Sequence, residues 1–244
     1  MNLTLLKRLS TPAASLPESL TINGREIPVV MTHHSRARRM TLRYDSVKRC
    51  IRLTTPKRTP QKLAARFLQE KVGWLEGQIG KQPENIPFEA GAMIPILGSP
   101  RRLEHIVATR GQVALSHDEI RVPAPEGHLP QRTRNWLKTH ARGVILAKAE
   151  ELAAPLELKF RRVAVRDMSS RWGSCSYDGN LSFSWRLIFA PEPILSYLVA
   201  HELAHLKEMN HSKAFWDVVA IMHPDHKTAR AWLKVHAGDL HRYG

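Results

Sequence analysis

Two histidines, His201 and His205, bracket the segment H-E-L-A-H, and a third, His211, follows six residues later. On a helix successive residues turn by about 100°, so positions i and i+4 share a face and two imidazoles there reach one cation. Zinc accepts imidazole nitrogen, and a catalytic zinc takes three protein ligands while keeping one position open for water. Glu202 is offset from the two histidines. Its carboxylate can act as general base on a water that the metal has acidified and then pass the proton to the leaving group. With 13 His in 244 residues, random placement gives this motif in roughly 4% of such chains, so the spacing alone does not decide. The third histidine adds a condition. In an unbroken helix His211 sits about 120° around from His205, so it can ligate only if the helix ends first. Asn210 offers that break, because Asn tolerates the left-handed conformation that ends helices.

Ligands need a rigid mount. The run P-I-L-S-Y-L-V-A ahead of His201 is mostly apolar and predicts a buried helix over 193–209, entered through Pro191 and Pro193. Strands are expected over 158–166 and 181–188, and helices over 212–222 and 225–237. A long amphipathic helix over 129–153 carries Trp136, Leu137, Val144, Ile145, Ala149 and Leu152 on one face. Upstream, 27–32, 38–44 and 50–54 cluster β-branched residues between turn signals, which predicts a small antiparallel sheet. A helix follows from Pro60 to Ile79, then a second strand-rich stretch from Met93 to Val122. No internal repeat is visible. The fold class expected is α+β: an N-terminal antiparallel β-rich region followed by a helical and sheet metal-binding region. The divisions are a poorly ordered segment at 1–19, a β-rich region with one helix at 20–127, and a catalytic region at 128–244.

Composition bounds the partners. The apolar content of 43% and charged content of 24% are those of a globular chain. The formal net charge of +15 favours anionic partners such as nucleotides, nucleic acid, acidic peptides or a membrane surface. Cys50 and Cys175 form no C-x-x-C pair and no disulfide framework, which fits a reducing cytoplasm. No segment approaches the ~18 apolar residues of a membrane span, and the N-terminus lacks a signal-peptide core. A cytoplasmic protein without a membrane partner is the expectation; oligomeric state has no sequence signal.

Several motifs occur in a fixed order: Arg171-Trp-Gly-Ser-Cys-Ser176, Gly179-Asn-Leu181, Trp185-Arg-Leu187, Pro191, the H-E-L-A-H helix, Asn210-His-Ser212 and Phe215-Trp216. With Ser35-Arg-Ala-Arg-Arg-Met-Thr-Leu and Trp74-Leu-Glu upstream, the chain resembles the YgjP-like metallopeptidase-domain family over about residues 20 to 240. That family is a zincin group similar to the SprT-like proteins. The resemblance implies a zinc site made by His201, His205 and His211, with Glu202 as catalytic acid/base, on a minimal zincin core. Metzincins share the histidine spacing but carry Gly where this chain has Glu208, and no clear Met-turn is present.

Other residues carry two readings. Trp172 either packs or lines the site, with Gly173 permitting a bend. Arg161, Arg162, Arg166 and Arg171 are either a solvated strand face or a phosphate or oxyanion site. Arg166, Arg171 and Trp172 are the substrate-binding candidates. Cys175 reads as packing before nucleophile or fourth ligand. His33, His34, His223 and His226 read as solvated, and Arg36, Arg38, Arg39 and Arg43 as a basic surface. The leading function is a zinc-dependent, metallopeptidase-like hydrolase of peptide or protein substrates. Its first rival is pyrophosphohydrolysis of a nucleoside triphosphate, since pyrophosphatase activity on UTP is attributed within the family. A basic nucleic-acid-associated module is the third, without a recognisable zinc-finger, RRM or helix-turn-helix signature.

Overall fold

Two tight hairpins set the architecture. In the first, Asn23 (φ 51°) and Gly24 (φ 74°) join β1 (Ser19–Ile22) to β2 (Arg25–His34). In the second, Leu97 (φ 51°) and Gly98 (φ 81°) join β5 (Met93–Ile96) to β6 (Ser99–Val107). Two consecutive positive φ angles give a type I′ turn, whose twist matches that of the strands it connects. Asn-Gly is the preferred pair there. Leu97 is not, and it is held by donating its backbone N–H to the Ile188 carbonyl at 2.7 Å. A Cβ on Gly98 would lie 3.0 Å from Pro191 Cα, so packing as well as φ requires glycine.

The computed structural model describes residues 15–45, 48–80, 85–168 and 171–244. The expected lead-in at 1–19 therefore lies largely outside the described residues. The chain forms two units that divide between Gln82 and Pro83. In the N-terminal unit β3 (Thr41–Asp45) and β4 (Cys50–Pro56) complete a sheet of order β1-β2-β4-β3. Helices α1 (Gln61–Glu70) and α2 (Val72–Gly80) cover one face of it. Ile22, Ile27, Ile51, Leu68, Leu75 and Ile79 form the core. Where the sequence predicts one helix from 60 to 79, Lys71 (φ −105°, ψ 3°) leaves the helical conformation. Gly73 and Gly77 follow within a turn or two, weakening any continuous helix.

The sheet is mixed, correcting the antiparallel expectation. β3 goes to the edge and β4 returns between β3 and β2, so β2 and β4 run parallel while β3 and β4 pair antiparallel. Alternation of apolar residues has the same period of two in either pairing, so strand direction was not readable from it. The same arrangement recurs in the C-terminal unit. There β7 (Ala114–Leu115) and β8 (Glu119–Ala124) give the order β5-β6-β8-β7, with β6 and β8 parallel. A topological repeat thus exists where no sequence repeat is visible.

The C-terminal unit has one continuous core. Ile94, Leu103 and Val122 of the second sheet are buried with Leu137, Ile145 and Ala149 of α3 (Leu129–Ala153), and with Leu195, Val199 and Leu203 of α4 (Glu192–Ala204). Strands 93–124 therefore belong with the helices that follow them, and the division falls near residue 82 instead of 127. β9 (Arg162–Arg166), β10 (Gly173–Cys175) and β11 (Asn180–Ser184) form a third sheet of order β10-β11-β9. The predicted strand 181–188 stops at Ser184, because Trp185–Phe189 is a 3-10 turn buried on every side. Helices α5 (Lys213–Met222) and α6 (His226–His236) finish the unit. The class is α+β. Among the described residues, no helix is long and apolar enough to cross a membrane.

Candidate metal centre

Helix α4 is the mount. Pro191 precedes it and Pro193 sits in its first turn, where a missing N–H costs nothing. Every residue from Ile194 to Ala200 is buried, so the helix is fixed on all sides. It ends earlier than the sequence suggests: Ala204 is its last residue, and Leu206 and Lys207 donate to the Leu203 and Ala204 carbonyls at 3.0 Å in a tightened turn. The break thus occurs at His205, five residues before Asn210. Asn210 does not adopt a left-handed conformation. The loop that follows carries His211 back to the helix end, and Ser212 then caps α5 by accepting the Phe215 N–H at 3.3 Å.

This path brings the three predicted ligands together. One ring nitrogen or more from each of His201, His205 and His211 lies within 4.8 Å of the others, the one such group of His, Cys, Asp or Glu among the described residues. The Nε2 atoms of His201 and His211 are 3.1 Å apart. Tetrahedral zinc with bonds of about 2.0–2.1 Å separates its ligands by about 3.3 Å, so the pair fits one cation. His205 Nδ1 lies 3.1 Å from the Glu208 carbonyl. A carbonyl only accepts, so Nδ1 carries the proton and Nε2 is left as the free lone pair. Burial lowers the His201 pKa to about 4, helped by the charges of His205, His211 and Arg230. Burial also lowers that of His205, against the Glu208 bond. Neutral imidazole is the form that ligates.

Phe215 holds the set in place. Its fully buried ring has centroid distances of 4.9, 4.6 and 4.6 Å to His201, His205 and His211. Trp216 adds contacts at 5.8 Å to His201 and 6.0 Å to His211. Sequence reasoning quoted these aromatics as part of a motif and missed that one ring touches all three imidazoles. Their signal was position: a Ser N-cap directly after the third histidine puts Phe215 one turn into the next helix.

Glu202 is 5% exposed. Burial raises its pKa to about 7, opposed by the positive charge of Arg171. A carboxyl near neutrality is suited to taking and returning a proton. The R-W-G-S-C-S segment explains how it is held. β10 is an edge strand beside α4, and a Cβ on Gly173 would fall 2.5 Å from Glu202 Oε1. Gly173 therefore provides close approach in place of the expected bend. Its neighbour Trp172 stacks on His241 at 4.8 Å. Cys175 also lines the cavity of about 320 Å³ over the histidines. Burial and the Glu202 charge push its thiol up to about 11, so it faces the site as a protonated thiol.

The remaining candidates separate. Arg171 is exposed and acts on Glu202 through its charge. Arg166 ends β9, exposed, with β11 between its strand and β10. His226 is not solvated: it is buried and stacks on Trp216 at 5.7 Å. A second cleft of about 640 Å³ is lined by Trp172 and by Lys227, Arg230 and Lys234 of α6. Sequence analysis passed over these three cations, which lie three and four residues apart on one helix face.

An α+β chain that converges three imidazoles beside a buried carboxylate is built as a metal-dependent hydrolase. The family model "YgjP-like, metallopeptidase domain" matches residues 38–236, and the chain belongs to that family. A stretch of 48 residues is 48% identical to the UTP pyrophosphatase of Escherichia coli (strain K12), covering 18% of this chain and 29% of that protein. The match thus spans less than a third of that relative's length. Among solved structures, the metallopeptidase zymogen abylysin of Pyrococcus abyssi is 24% identical, covering 37% of this chain and 94% of its own, at a TM-score of 0.34.

Gly173→Ala should keep the metal but displace the Glu202 carboxylate, lowering turnover at least ~100-fold, the scale of a lost general base; unchanged turnover with bound metal contradicts the contact. The Glu202 pKa also fixes a stability window. As pH rises past 4.5 the unfolded chain releases this proton first, while the fold retains it to about 7, so stability falls across that range. Urea unfolding of metal-free protein should show wild type losing on the order of 3 kcal/mol relative to Glu202→Gln between pH 4.5 and 7. A pH-independent difference would contradict the burial.

Proposed function

We propose that the chain is a zinc-dependent hydrolase that cleaves a phosphoanhydride bond of a nucleoside triphosphate. The observation that carries this reading is the α6 cleft. Lys227, Arg230 and Lys234 line it with no carboxylate among the lining residues, and among the described residues none of the three has an acidic partner. Like charges three and four apart weaken a helix by about 0.2–0.5 kcal/mol per pair, and an anion in the cleft would reverse that penalty. The cleft adjoins the metal centre: the Arg230 guanidinium lies 5.0 Å over the Trp216 ring, which itself packs on His201 and His211. The UTP pyrophosphatase relative supports the same substrate class.

His201, His205 and His211 would hold the ion, and three imidazoles with an open position suit zinc. When bound, the ion supplies Lewis acidity that polarises a phosphoryl oxygen and acidifies water. The chain's own residues do the rest. The α6 cations hold the polyphosphate so that the bond to be cleaved faces Glu202. Glu202 takes a proton from the attacking water as its oxygen bonds to phosphorus and the bridging P–O bond breaks. It then returns that proton to the departing phosphate, and Arg171 favours the carboxylate form that starts the cycle.

A peptide substrate is the second reading, supported by the family's description and by β10, an edge strand among the described residues, beside Glu202. An extended peptide can add to such an edge and present a carbonyl to the same groups. Turnover of zinc-loaded protein on nucleoside triphosphates and on unstructured peptides, with pyrophosphate and phosphate quantified, separates the two. Pyrophosphate release that falls at least ~100-fold in Glu202→Gln, and whose KM rises about tenfold in the Lys227→Ala/Arg230→Ala/Lys234→Ala variant, is expected. Peptide cleavage without nucleotide turnover would overturn it.

A further inference from the structure

The chain's positive charge is unevenly distributed. Sixteen of the 37 basic residues but only five of the 22 acidic ones lie in the first 82 residues, so the N-terminal unit carries +11 of the net +15. The metal centre lies wholly in the other unit, so this concentration is not explained by the reaction.

The cations are organised around a sheet whose one face packs on α1 and α2. Ile27, Ile51, Leu53 and Leu42 point towards α1 and α2, while Val30, Thr32, Thr41 and Arg43 on the other face are exposed. Arg43 stands directly opposite Arg52 in the register, and like charges facing each other across strands are destabilising. Asp45 relieves Arg52 at 3.5 Å. Arg43, Arg39 and Lys71 have no carboxylate partner among the described residues.

At the edge of the same sheet, beside β3, lies a groove of about 310 Å³. Leu42, Phe67 and Trp74 give it an aromatic and apolar lining, and Arg39 and Lys71 stand with them. Trp74 is 46% exposed. A flat ring left open beside two unpaired cations is a poor surface for water. It is a good one for an unstacked base with its phosphate, since bases stack on aromatic faces and phosphates pair with Lys and Arg. A duplex keeps its bases stacked and could not place one in the groove, and an acidic peptide offers charge without flat rings.

We propose that the N-terminal unit binds single-stranded nucleic acid, with a base stacked on Trp74 and the backbone running over Arg39, Lys71 and the Arg43 sheet face. The binding is independent of the substrate taken at the metal centre.

The test is fluorescence anisotropy of the full-length chain with a labelled 12-nucleotide single strand, as RNA and as DNA, with the matching duplex and with a poly-glutamate peptide, over a range of salt. Single strands should bind more tightly than duplex or peptide, with the logarithm of affinity falling linearly with that of salt. Trp74→Ala should weaken binding about tenfold, the scale of one lost stacking contact, and Trp74→Phe should restore most of it. Arg39→Glu with Lys71→Glu should both weaken binding and flatten the salt slope, while turnover at the metal centre stays unchanged. Poly-glutamate or duplex binding as tightly as the single strand, indifference to Trp74→Ala, or no binding at all would each overturn the proposal.

Discussion

Three imidazoles held within a few ångströms of one another must stay uncharged, and the rest of the C-terminal unit follows from that constraint. Protonated, they would repel; neutral, they present lone pairs to a common point. Burial favours the neutral state of the two helix histidines: it lowers the pKa of His205, and that of His201, the most enclosed, to about 4. The same burial acts on Glu202 in the opposite sense, raising an acid to about 7. A single physical cause, removal of water around the end of α4, thus prepares two of the ligands and the base.

That desolvation depends on packing from three directions. α4 is buried along its length by the α3 stripe and the second sheet. Phe215 closes the side where the imidazoles meet. Gly173 lets the β10 edge come against Glu202 with nothing between. Each contributor belongs to a separate element, yet all converge on the last turn of one helix. Against this apolar enclosure, Arg171 sets its positive charge on Glu202 and Arg230 adds to the positive charge felt by His201.

Much of this was legible in the sequence. The ligand spacing, the apolar mount and the amphipathic pattern of 129–153 each follow from periodicity, and α3 occupies Leu129–Ala153. What was not legible has physical reasons. Parallel and antiparallel strands share a period of two, so the mixed sheets and their repeated topology were hidden. The helix ends at His205 through backbone bonding in a tight turn, and Asn210, with the better local propensity for a break, was not needed. Gly173 looked like a bend residue because glycine is read locally, whereas its role depends on Glu202 nearly thirty residues away. Lys227, Arg230 and Lys234 carry no motif of their own, and only the fold sets them in one cleft with Trp172, more than fifty residues earlier in the chain.

On this reading His201, His205 and His211 together hold one catalytic zinc and leave a position open. X-ray absorption of the zinc-loaded protein tests it directly. Three imidazole nitrogens and one oxygen at about 2.0–2.1 Å are expected, with one imidazole fewer in His211→Ala. A sulfur at about 2.3 Å, placing Cys175 in the coordination sphere, or a spectrum unchanged by His211→Ala, would contradict it.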